Sequence, residues 1–221
     1  MANHSKLQKV ALASSAFLAL MSAQVNSIAQ AADSATLNIS GQITATTCNI
    51  VISDPGGVGT VGTKILNLGN QAAPVAGAAG ATFGNAVAAI FSVSSTAGST
   101  TPCTFQGTNT KWDLALGVFS TQITNVGPAT FLKNTVASTA GGTDAIVQLK
   151  GGVGTTLAAA TNTLVLIPDA GVGGALMSGL TTPTATATSS IAISAQFARS
   201  GTTVPTGGAF SQTIPLIARY N

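Results

Sequence analysis

Thr36 to Cys48 reads TLNISGQITATTC. Leu37, Ile39, Ile43 and Ala45 are apolar or small, and Gly41 falls in the same phase. Polar residues fill most of the positions between them. A period of two marks a strand with one buried face, because successive side chains of a strand point to opposite sides. The stretch stands close to the start of the expected mature chain, so the question is which core it covers.

Maturation is expected from the residues upstream. Lys6 and Lys9 form a positive region, ALASSAFLALM (Ala11 to Met21) is an apolar core, and Ala29-Gln30-Ala31 fits a small-x-small cleavage site. The apolar core is short for a membrane span. Residues 1–31 are therefore expected to be a signal peptide and the mature chain to begin at Ala32, in an oxidising compartment outside the cytoplasm. No membrane span is expected in the mature chain. Ala72 to Val93 carries few charges, but it is mostly Ala and Gly and is interrupted by Pro74 and Asn85.

Composition narrows the function. Without Lys6 and Lys9 the basic residues fall from 8 to 6 against 5 acids, so the net charge drops from +3 to about +1. Such a chain has no basic field for nucleic acid. The only His is His4, inside the signal peptide, and the sequence has no Glu. General acid–base chemistry and transition-metal binding lose their usual side chains, so neither an enzyme nor a cofactor is expected. The acids are Asp33, Asp54, Asp113, Asp144 and Asp169, far apart in sequence. An aspartyl dyad is the one catalytic arrangement they leave open, and nothing marks two of them as partners. Trp112, the sole Trp, reads as a core anchor, with a sugar-stacking platform as the alternative.

Cys48 and Cys103 are the only cysteines. In an oxidising compartment an even pair reads as a structural disulfide, and without a CxxC or a neighbouring His a redox or metal site is disfavoured.

Along the chain, Gly41 to Ile52, KILNLGNQ (Lys64 to Gln71), AVAAIFSVS (Ala86 to Ser94) and KWDLALGVF (Lys111 to Phe119) read as strands. Gln71 to Gly84 reads as a loop. AIVQLKGGVGTTL (Ala145 to Leu157) reads as strand, Gly turn, strand, and NTLVLIP (Asn162 to Pro168) as a further apolar run. SIAISAQFARS (Ser190 to Ser200) and AFSQTIPLIARYN (Ala209 to Asn221), separated by a turn at Pro205 to Gly208, read as a closing hairpin. Seven to nine short strands, about that number, with Gly/Pro/Thr turns and no long helical pattern predict an all-β sandwich.

Both chain ends and their order resemble a known family. An alternating strand has its Gly seven residues before the first Cys, and Ile214, Leu216, Ala218 and the penultimate Tyr220 alternate at the C-terminus. KILNLGNQ, IVQLKGGVGTTL and AISAQFARSGTTVPTGGAF resemble internal segments of the same family. Together these residues resemble the chaperone–usher pilus (fimbrial) subunits of the type 1 and P-pilus kind. The resemblance implies an incomplete immunoglobulin-like β-sandwich completed by a donor strand from a neighbouring subunit. It implies a donor extension over residues 32–44, with Leu37, Ile39, Gly41 and Ile43 pointing into the neighbour, and a pilin domain over residues 45–221. Gly41 is expected where the receiving floor leaves no room for a side chain, and Cys48 is expected to pair with Cys103. Ile214, Leu216, Ala218 and Tyr220 are expected to meet a periplasmic chaperone. Further partners implied are neighbouring pilin subunits, in a homopolymer, and an outer-membrane usher. The implied place is the surface fimbrium of a Gram-negative bacterium, in a role that supports cell adhesion. Pro215 departs from the pattern: it lies inside the last strand without an N–H to donate, and is expected at an edge or bulge. A minor adaptor or adhesive subunit and a non-polymerising secreted surface protein are the alternatives.

Overall fold

The computed structural model describes residues 36–43, 48–56, 60–61, 63–95, 101, 103–105, 110–118, 120–166 and 184–220. They fall within one unit, Ala31–Asn221. The expected signal peptide, residues 1–31, lies outside the described residues.

The strands, in chain order, are β1 (Thr36–Ile43), β2 (Asn49–Ser53), β3 (Thr60–Val61), β4 (Thr63–Asn67), β5 (Thr82–Ser94), β6 (Lys111–Leu116) and β7 (Ile123–Val126). They continue with β8 (Ala129–Leu132), β9 (Ile146–Val153), β10 (Asn162–Thr163), β11 (Ala185–Thr186), β12 (Ile191–Ala198) and β13 (Ser211–Tyr220). The only helical elements among the described residues are short 3-10 turns, as at Leu157–Ala159. None of the described helices is long and apolar enough to cross a membrane.

Two sheets result. One runs β11-β6-β13-β1-β4; the other runs β3-β2-β5-β12-β9-β8-β7, with β10 paired to β9. A single apolar cluster joins them, with Leu37, Leu66, Trp112, Leu114 and Ile214 from the first sheet and Ile50, Phe91, Val147, Leu149 and Ile193 from the second. The all-β, sandwich-like architecture follows from the alternation of apolar residues that each strand carries toward this cluster. In β4, Leu66 is buried while Ile65, out of phase with it, is 55% exposed.

Two expectations change, and one hairpin is new. The closing hairpin does not form: β12 lies between β5 and β9 in one sheet, and β13 lies between β6 and β1 in the other. Both edges of β12 are already paired, so the turn at Pro205 to Gly208 carries the chain from sheet to sheet. In IVQLKGGVGTTL the turn does not fall at the paired glycines but begins at Gly154, just after β9, and the strand that folds back onto β9 is β10. Gly151 and Gly152 sit inside β9, and a Cβ on Gly152 would collide with the Ala159 carbonyl of the 3-10 turn that folds back over the strand. Finally, the hairpin β7–β8 carries no expectation from the sequence. Val126 pairs with Ala129 across Gly127-Pro128, and Gly127 has φ 60°. A positive φ at the first central position is what a type II′ turn requires, and the fixed negative φ of Pro128 at the second excludes type I′.

Candidate functional site

Strand β1 answers the question its sequence poses. It fills the space between β13 and β4 in this chain's own sheet. Against β13 it runs parallel, with Leu37 opposite Gln212, Ile39 opposite Ile214, Gly41 opposite Leu216 and Ile43 opposite Ala218. Against β4 it runs antiparallel over Thr36–Ser40, with Leu37 opposite Leu66. The Thr36 N–H donates to the Phe210 carbonyl at 3.0 Å, fixing the end at which β1 enters. Leu37 is 0% exposed, and filling such a site stabilises by about 1.5–3 kcal/mol.

The floor comes from β13. Ile214 and Ala218 are buried, and Tyr220 packs edge to face on Phe105 with ring centroids 5.0 Å apart. Burial raises the pKa of the Tyr220 phenol above its ordinary 10.0, and its hydroxyl is buried without a hydrogen-bond partner. Gln212, in the same phase, is also buried. Its Nε2 donates to the Lys133 carbonyl at 3.2 Å, and its Oε1 accepts from the Thr213 N–H at 3.1 Å. The alternation Phe210, Gln212, Ile214 held the signal for this residue, but its polarity concealed it. Asn134 pins the start of β13: its Nδ2 donates to the Ala209 carbonyl at 2.7 Å, and its Oδ1 accepts from the Ser211 N–H at 2.9 Å. No local pattern announces that role.

Pro215 lies in the interior of the sheet, opposite Ser40, and not at an edge. Its carbonyl accepts from the Gly117 N–H at 2.8 Å, on the β6 side, where the β6–β13 pairing ends at Leu116 and Leu216. The N–H and C=O of an extended residue point the same way, so the missing donor faces the end of β6 and not β1.

Cys48 and Cys103 form a disulfide with Cα atoms 5.6 Å apart. It ties the start of β2, five residues beyond Ile43, to the segment that leads into β6. A cavity of about 110 Å³ is lined by Gly69, Gln71, Ala73, Phe83, Phe197 and Gly208, outside strands β1, β4 and β13.

The alternative sites resolve differently. Trp112 is 0% exposed and its Nε1 donates to the Thr186 carbonyl at 3.0 Å, so it is a core anchor and not a stacking platform. The described aspartates have separate partners: Asp113 holds the Arg219 guanidinium through both carboxylate oxygens at 2.8 and 3.0 Å, Asp54 meets Lys64 at 2.8 Å, and Asp144 bonds Thr206. No aspartyl dyad forms among them. Asp33 and Asp169 lie outside the described residues.

No protein-family model matches this chain, and no curated protein sequence matches it.

Proposed function

We propose that this protein is a structural pilus subunit, an immunoglobulin-like sandwich that polymerises by strand exchange with further copies of itself. One observation carries the reading. The strand that separates β13 from β4 comes from the N-terminal segment Thr36–Ile43. It reaches β2 through the short stretch of residues 44–48. With the expected signal peptide removed, a strand anchored through residues 44–48 can leave the groove and enter the equivalent groove of a neighbour. The vacated sheet would expose the edges of β4 and β13 together with the Leu37 site. Such a surface favours strand addition, in which backbone pairing supplies affinity and alternate pockets supply specificity.

In this reading a periplasmic chaperone covers the β13 edge through Ile214, Leu216, Ala218 and Tyr220, and an outer-membrane usher receives the subunit for the fimbrium. The low charge of the chain, 6% Asp, Glu, Lys and Arg, suits a surface that ends up covered in a polymer. Substituting Gly41→Arg in the Gram-negative host tests the proposal. The expected result is loss of surface fibres, while the disulfide-bonded chain accumulates in the periplasm. Normal fibres from Gly41→Arg would overturn the groove assignment.

A further inference from the structure

The groove proposed for a neighbour's strand is occupied by this chain's own. Ser211–Ala218 of β13 pair residue by residue with Thr36–Ile43, and Thr63–Asn67 of β4 pair with Ser40–Thr36. Every backbone position that an incoming strand would use over this span is taken. The strand is also tethered nearby: residues 44–47 join it to Cys48, which the disulfide fixes to Cys103. A short tether gives the intramolecular strand an effective concentration of the order of millimolar, far above that of a second copy in dilute solution.

We propose that β1 is an intramolecular plug, so that a lone subunit is self-capped and strand exchange is gated by withdrawal of β1. The inference rests on the strand-exchange reading above and adds its regulation. The plug is built to be withdrawn. It pairs with β13 in parallel, the slightly weaker pairing per residue. The pairing with β4 covers Thr36–Ser40, and among the described residues Gly41, Gln42 and Ile43 pair with β13 only. Opening starts there, beside the tether. The open form is a minor population, and it reduces the apparent affinity for any incoming strand by its own fraction.

Asn38 and Ile65 stand opposite each other across β1 and β4, and Ile65 is exposed. The mature chain carrying Asn38→Cys and Ile65→Cys, oxidised, locks the plug; each single substitution is an unlocked control. The probe is a fluorescent synthetic peptide of residues 32–47 of this chain. The locked form is expected to take up the peptide more slowly than the controls by about tenfold or more. Equal uptake by locked and unlocked forms overturns the plug. Hydrogen exchange on the unmodified mature monomer decides the matter if the double variant misfolds. Amides of Ile214, Leu216 and Ala218 protected like those of β12 support the plug, and free exchange at all three overturns it. Protected amides with no uptake by any form overturn the strand-exchange reading and the gate together. Free exchange at β13 with ready uptake overturns the plug alone.

Discussion

Tyr220 shows how a single residue reports on the C-terminal strand. It stands opposite Trp112, packs on Phe105 and buries a hydroxyl without a partner, and burial raises its pKa. A raised folded pKa favours the protonated phenol in the folded state. That contribution is complete below the unfolded pKa near 10.0 and is lost as pH rises through the higher folded value. Tyr220→Phe removes both the ionisation and the orphaned hydroxyl. Urea titrations at neutral and strongly alkaline pH are expected to show the native chain losing stability between them and Tyr220→Phe losing less. Equal losses in the two chains would mean that the phenol remains hydrated. Trp112 and Leu37 were legible as buried residues because their phase is apolar and unambiguous. Gln212 and Asn134 were not, because their roles depend on carbonyls distant in sequence, such as Lys133 for Gln212 and Ala209 for Asn134.

At the scale of the element, β13 distinguishes two kinds of position. Odd-numbered Pro215 directs its backbone toward Gly117, whereas even-numbered neighbours face β1. Pro215→Ala is therefore expected to change unfolding stability by less than about 1 kcal/mol, since it restores a donor where the β6 ladder has ended. Leu216→Pro removes a donor that faces β1 and is expected to destabilise by more than about 2 kcal/mol, read as a shift in the denaturant midpoint. Similar effects from both would mean that β1 does not pair with β13. The alternation of β1, β4 and β13 was visible in the residues. Their partners were not, because a period of two states which face is buried and says nothing about direction or neighbour. The same limit explains the expected closing hairpin: two adjacent strands and a Gly-rich turn read alike whether the turn stays in one sheet or crosses to the other. The hairpin at Gly127-Pro128 carries a turn signal in its sequence, but the alternation of the two short strands beside it is weak.

At the scale of the molecule, the disulfide and the strand order fix how the parts hold together. The bridge spans 55 residues and closes a loop worth about 4 kcal/mol in the chain-entropy model. Replacing Cys48 and Cys103 by Ala is expected to lower unfolding stability by about that amount, and an unchanged denaturant midpoint would contradict it. The sandwich class was legible from strand and turn composition. The occupant of the β13–β4 groove was not, because Thr36 to Cys48 is equally suited to its own core or to another copy's. The central claim is that copies of this chain join by exchanging β1. The direct test is to shear surface material from the native host, run it unboiled and boiled on a denaturing gel, and probe for this chain. The account predicts a ladder of multimers that collapses to monomer on boiling, as strands held without covalent bonds release. A single monomer band in both lanes would contradict strand exchange and favour a non-polymerising surface protein.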